Sequence, residues 1–192
     1  MSPLAPGFLV AAPPSNDPNF ERSVVLLATH SEEGAFGWVV NGRDVMTVEE
    51  LIGRSEGWSD ASPPEPGSIG GKVRLGGPVG QEQVWMVYRS EDRLEDCDEQ
   101  FEVGPGLVAS PSRKVLEALV EGRRMRDLFG VLGYAGWAPE QLEEEIRRGA
   151  WLPIDCDPEL VFEVGRDEMW ERAFGRVGAS PMAFTTRTVG SA

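Results

Sequence analysis

The run SVVLLAT, Ser23–Thr29, places five apolar residues in an unbroken stretch with no polar alternation. A strand with one wet face alternates, whereas a strand covered on both faces does not, so this segment belongs in the middle of a layered fold. GFLVAA, Gly7–Ala12, has the same character and is stopped by Pro13 and Pro14, which cannot both continue a ladder. Asp17-Pro18-Asn19 supplies turn chemistry between the two runs. Phe36–Val40 is a further strand segment, reached through His30–Ala35 with Gly34 inside, which is the pattern of a hairpin with a slightly long loop.

Farther along, TVEELIGR (Thr47–Arg54) opens with Thr at an N-cap position and Glu three residues on, the spacing of a capping box and a short helix. Ser55–Gly71 is rich in Ser, Pro and Gly and reads as an irregular excursion. Val73–Leu75 and Val84–Tyr88 read as strands joined through Gly76-Gly77-Pro78 in a hairpin-like connection. Ser110-Pro111 can cap and open a helix that shows Val115, Leu116, Leu119 and Val120 on one face and stops at Gly122. Leu128–Tyr134 returns to strand character. Pro139 opens PEQLEEEIRR, with acids at the positive end, Arg147 and Arg148 at the negative end, Gly149 as the stop and a Leu142/Ile146 stripe to dock on a sheet. Glu143 with Arg147 and Glu144 with Arg148 stand at favourable helical spacing. Glu159–Val164 is expected as a last strand and Asp167 as the start of a last helix carrying Met169, Trp170 and Phe174.

Strand runs outnumber helices without alternating regularly with them. That order predicts an α+β fold with a largely antiparallel, strongly curved sheet. The length of 192 residues suits one domain, expected over residues 1–178, with 179–192 as a flexible tail.

Charge narrows the partners. Eighteen basic against 32 acidic residues leave −14, and such a surface opposes the long-range approach of nucleic acid, so direct DNA binding is not expected. The acid-rich stretch Glu91–Glu102 lacks the spacing and central glycine of a calcium loop and reads as solvated. Cys97 and Cys156 lie far apart, each beside carboxylates that oppose thiolate formation, so neither is expected to be a nucleophile or a disulfide partner. No signal-like core and no membrane-length apolar run stands out, which predicts a cytoplasmic protein without membrane insertion.

Ser23, the lone histidine His30 and Asp17 invite a hydrolase reading. A triad needs serine against imidazole and imidazole against carboxylate in space, and sequence closeness does not provide that. A Gly-x-Ser-x-Gly elbow is absent, and Ser23 begins a strand run rather than a strand-to-helix turn. LGGPVGQ, Leu75–Gln81, lacks a phosphate-loop lysine, and Pro78 removes one of the donor amides. One histidine and unsuitably spaced cysteines do not make a standard zinc set. No cofactor is expected.

Several of these pieces together resemble one family. PGFLVAAP from Pro6, D-P-x-F-x-x-S-V from Asp17, H-x-x-x-G-A-x-G from His30, V-V-N ending at Asn41, GGPV from Gly76, GYAGW from Gly133, QLEEEI from Gln141 and WLP from Trp151 are similar, in order, to the YqgE/AlgH family of bacterial proteins. One departure is Glu140, where the family commonly carries Gly. The resemblance implies a single-domain α+β fold with a bifurcated sheet rolled into a pseudo-barrel and flanking helices. It brings a transcriptional-regulator label but no catalytic residues. The expectation is therefore a non-enzymatic regulatory or binding protein acting on another protein or a small ligand. Its surface is expected where Asp17, Phe20, Ser23, His30, Gly34, Asn41, Gly76, Gly77, Pro78, Tyr134 and Trp137 gather. The alternatives are a hydrolase using Ser23 and His30 or an acidic metal site, and a direct DNA-binding regulator.

Overall fold

The computed structural model describes residues 4–13, 17–55, 64–65 and 67–178. Most of the Ser55–Gly71 excursion and the expected tail lie outside the described residues.

Among the described residues ten strands form one branched sheet. β1 (Gly7–Ala11), β2 (Val24–Ser31) and β3 (Gly34–Val39) run antiparallel to one another, followed in the chain by β4 (Asp44–Thr47) and helix α1 (Val48–Arg54). β5 (Lys72–Leu75) and β6 (Val79–Arg89) come next, then β7 (Phe101–Gly104), β8 (Leu107–Ser110), α2 (Arg113–Val120) and β9 (Leu128–Trp137). α3 (Gln141–Arg147), β10 (Trp151–Asp155), α4 (Pro158–Phe162) and α5 (Arg166–Arg176) complete the described chain. The spatial order is β10-β1-β2-β3-β9-β6-β8-β7, and β5 joins β4 to β9. Among the described residues only the β5–β9 pairing is parallel.

The branch point is β9. One of its edges carries β6 along Leu128–Tyr134. The other edge is divided: β5 pairs with Gly130–Leu132, and β3 pairs with Ala35 against Trp137 and Gly37 against Ala135. Gly76 sits in the fork, its N–H donating to Leu132 O at 2.7 Å and its carbonyl accepting from Val39 N at 2.8 Å. The chain then crosses β9 to reach β6 on the far edge. A Cβ at Gly77 would lie 2.1 Å from the carbonyl carbon and oxygen of Tyr134, so only glycine permits that crossing. The Gly76-Gly77-Pro78 connection is therefore a crossover between strands that do not pair with each other, and the hairpin expectation is corrected.

β2 shows why SVVLLAT lacks alternation. Val24 and Leu26 point into a core with Phe8, Val10, Trp38 and the residues Leu160, Met169, Trp170 and Phe174 of α4 and α5. Val25 and Leu27 point the other way, against Leu9, Val39, Ala135, Trp137, Leu142 and Trp151. All four β2 residues are fully buried, as the sequence pattern predicted. The sheet curls enough to bring β2 into contact with β7, five places along in the strand order, around α4 and α5. A third core packs α1 and α2 on the β5, β6 and β8 region through Val48, Ile52, Val73, Met86, Tyr88, Val108, Val115 and Leu119.

Local expectations fare unevenly. The capping box holds: Glu50 N donates to Thr47 Oγ1 at 3.1 Å and Thr47 N to Glu50 Oε2 at 2.7 Å. His30 lies within β2, and the hairpin closes more tightly than expected, pairing Ser31 with Gly34 around Glu32-Glu33. Glu159–Val164 is a correction, because Asp157 caps Glu159 N and Pro158 starts helix α4 where a strand was expected. Ser110 ends β8, and the N-cap position of the following helix falls at Ser112 instead, without a side-chain capping bond. The acidic stretch after β6 is pinned around buried Gln100, whose amide bonds Tyr88 Oη, Leu94 N, Leu94 O and Cys97 O. Burial, and then Asp157, push the Cys156 thiol up to about 11, in keeping with an inert cysteine.

Candidate functional site: two clefts around the Asp17–Ser23 turn

The turn between β1 and β2 is built from its own polar groups. Asn19 N and Nδ2 both donate to Asp17 Oδ1, at 2.9 and 3.0 Å, and Ser23 Oγ donates to Phe20 O at 2.8 Å. Asn41, past the end of β3, clamps the turn from below: its Oδ1 accepts from Val24 N at 2.8 Å and its Nδ2 donates to Arg22 O at 2.9 Å. Arg22 has φ 53°, and its guanidinium reaches Glu171 at 2.6 Å and stacks on Trp170 of α5. This turn thus ties the sheet edge to the helix that fills the concavity.

A cleft opens on each side of the turn. The first, about 380 Å³, is lined by Ala11, Asp17, Phe20, Gly136, Trp137 and Trp151 together with Gln141, Glu145, Arg148, Gly149 and Ala150. The second, about 350 Å³, is lined by Pro18, Asn19, Glu21, Arg22, Ser23 and Asn41, and across from the turn by Gly77, Pro78 and Gln81.

The first cleft has an aromatic wall. Phe20 lies 6.4 Å from Trp137 and 5.4 Å from Trp151, ring centre to ring centre, and the two indoles meet edge to face at 5.8 Å. Both indole N–H groups donate to one oxygen, Glu145 Oε2, at 2.9 and 2.8 Å. The other oxygen, Oε1, accepts from Gln141 Nε2 at 2.9 Å. Helix α3 positions this carboxylate: Leu142 is buried against the sheet, while Gln141 and Glu145, four apart, share the neighbouring face.

The expected site residues therefore divide. Asp17, Phe20 and Trp137 line the first cleft; Ser23, Asn41, Gly77 and Pro78 line the second. Gly76 stands behind the second cleft in the fork. Gly34 underlies Trp137, whose carbonyl leaves no room for a Cβ there. Tyr134 packs on Phe36 at 4.8 Å within the core lining the concavity, and lines neither cleft.

His30 is likewise absent from both clefts. Its Nδ1 accepts from Leu4 N at 3.3 Å and its Nε2 meets Glu143 Oε1 at 2.8 Å, with the imidazole only 8% exposed. Glu143 is held below the ordinary carboxylate value of 4.5, first by its own backbone N–H and then by His30. The close contact of Glu143 is with His30, and Arg147 acts on it only from beyond salt-bridge distance, whereas Glu144 and Arg148 pair at 2.9 Å as expected. Ser23 is buried, and seven residues of extended chain put it roughly 23 Å from His30. The two cannot share a proton, so a Ser23–His30 hydrolase is not built here. Among the described residues, no group of three or more His, Cys, Asp or Glu side chains is placed to hold a metal ion.

Sequence reading missed Gln141, Glu145 and Trp151. The signal is present as a Gln–Glu pair four apart between two tryptophans, Trp137 and Trp151, but helix-end charge and ion pairing already account for acids in α3 without the indoles.

The chain is similar to several known proteins. A UPF0301 protein of Anaeromyxobacter sp. (strain Fw109-5) is 43% identical over 184 residues, covering 95% of this chain and 92% of that one. A UPF0301 protein of Idiomarina loihiensis is 34% identical over 178 residues, covering 93% of each. The solution structure of the AlgH protein from Pseudomonas aeruginosa superposes with a TM-score of 0.74 at 31% identity, covering all of this chain and 97% of that one. The crystal structure of protein DIP2367 from Corynebacterium diphtheriae gives 0.68 at 28%, covering 90% and 86%. The AlgH-like family model matches residues 8–182, and with this curled α+β sheet the chain belongs to the AlgH-like family.

Proposed function

We propose that the chain is a cytoplasmic binding protein that regulates through contact with a partner, without covalent chemistry of its own. The observation that carries this reading is how the polar groups around the turn are used. Ser23, Asn41 and Glu145 spend their hydrogen bonds holding the cleft walls in shape, and His30 is sealed beneath α3. Rigid aromatic walls with a few placed polar groups suit recognition. The charge of −14 favours an indirect regulatory role, because phosphate contacts are opposed at long range. Among the described residues no helix is long and apolar enough to cross a membrane.

The test is affinity capture from the source cell with the native chain and with Ala150→Trp, which adds bulk at an exposed position lining the first cleft. Partners held by the native chain and lost from the variant are expected. Turnover of ester or amide substrates that disappears in Ser23→Ala would overturn the reading, as would retardation of a defined DNA site at physiological salt.

A further inference from the structure

The aromatic cleft has a charge pattern that specifies its ligand. Glu145 is a carboxylate with about four acceptor positions. Three are taken, two by the indoles of Trp137 and Trp151 on Oε2 and one by Gln141 on Oε1. All three donors are neutral. No Lys or Arg among the described residues comes within salt-bridge distance of Glu145. Among the described residues the cation lining the cleft is Arg148, which is engaged with Glu144 at 2.9 Å and is 75% exposed. Asp17 supplies a second carboxylate to the lining. Indoles that donate to a carboxylate gain electron density on their rings, and a ring face already attracts cations through its quadrupole. Trp137 and Trp151 are 7% and 4% exposed, so they offer narrow strips of ring, while half-buried Phe20 offers more.

We propose that this cleft binds an arginine side chain of a partner protein, its guanidinium lying over Phe20 and the indole strips and donating to the remaining position on Glu145 Oε1. This deepens the binding reading above and rests on it. A guanidinium fits because it is planar, weakly hydrated and able to stack and donate at the same time. An anion would meet Glu145 and Asp17, and a purely apolar group would strip water from a carboxylate without replacing it. The net charge of −14 also steers a basic partner towards the surface.

The experiment uses the full chain labelled with ¹⁵N and a blocked Gly-Arg-Gly-Arg-Gly peptide, with the citrulline peptide as its neutral counterpart. The arginine peptide is expected to shift the indole N–H signals of Trp137 and Trp151 saturably, while those of Trp38 and Trp85 stay in place. Glu145→Gln should weaken binding at least fivefold, and Phe20→Ala, which leaves the carboxylate and both indoles intact, should do so too. Equal shifts with the citrulline peptide, shifts spread over all the tryptophans, or none up to millimolar peptide would overturn the proposal. If the peptide fails while Ala150→Trp still loses captured partners, the cation assignment falls and the binding reading stands.

Discussion

Two pairs of tryptophans use the same side chain in opposite ways. Trp137 and Trp151, on the face covered by α3, share one carboxylate oxygen. Trp38 and Trp85, on the concave face, lie 5.1 Å apart, and their buried indole N–H groups have no acceptor among the described residues. The concave pair fills volume beside Phe36, and its unpaired donors are carried at a cost offset by packing. In the outer pair the polar handles fix a carboxylate at the wall of a cleft. In these two pairs the satisfied indole N–H groups build a site and the unsatisfied ones only occupy a core, while Trp170, bonded to Ala11 O at 2.8 Å, shows that a satisfied indole can also be core.

This contrast can be broken experimentally. Trp38→Ala should have the largest effect, a loss of about 3–5 kcal/mol in denaturant unfolding. It should leave the Trp137 and Trp151 indole signals unchanged, and a disturbed outer pair would show that the two regions are coupled. Trp38→Phe should cost less, since it removes a donor that has no acceptor. Glu145→Ala strands two indole donors and should cost about 2 kcal/mol, with Glu145→Gln milder because it keeps an acceptor. Equal costs would mean that packing, not hydrogen bonding, organises the outer pair.

Smaller effects sharpen the account of α3, which carries Glu145. Glu140 precedes it at φ 63°, a left-handed conformation that costs a side-chain-bearing residue about 1–2 kcal/mol. Glu140→Gly should therefore raise stability by about 1 kcal/mol, read as a higher denaturation midpoint. This explains why glycine suits the position in the family, and why Glu140 departs from the pattern at a cost. Ser23→Ala should lose about 1 kcal/mol, the worth of its bond to Phe20 O, and slacken the turn between the clefts.

The Glu143–His30 contact makes a pH prediction. The Glu143 pKa is depressed by folding, so its contribution to stability is complete above the ordinary value of 4.5 and is lost as pH falls through the lower folded value. Carboxyl NMR should place its midpoint below 4.5. His30→Ala should move it partway back, because the backbone N–H, the larger cause, stays in place. No movement would show that His30 does not stabilise the carboxylate.

Local rules were legible where one segment holds all the participants. The capping box of Thr47 and Glu50, the doubly buried β2 and the apolar stripe of α5 could each be read from a few neighbouring letters. Other elements misled for a physical reason. Leu160, Val161 and Val164 suggested a strand by their apolar and β-branched character, yet Asp157 and Pro158 set helix geometry there and the concavity needed apolar bulk rather than another ladder. Strand β10 went unread because its partner β1 is distant in sequence, whereas β7 and β8 pair across Pro105-Gly106, a local turn signal beside the acidic stretch.

The sequence by itself determined that the chain forms a layered α+β sheet, because apolar runs without alternation require cover on both faces. It also determined the family, through motifs whose order survives without any coordinates. Only the tertiary structure decided what those motifs do. It placed Gly76 and Gly77 in the fork of β9, separated Ser23 from His30 along one strand, and brought Trp137, Glu145 and Trp151 together from three elements. Spacing along a chain sets period and local capping, but the meeting of side chains depends on strand order and curl, which no short stretch of letters contains.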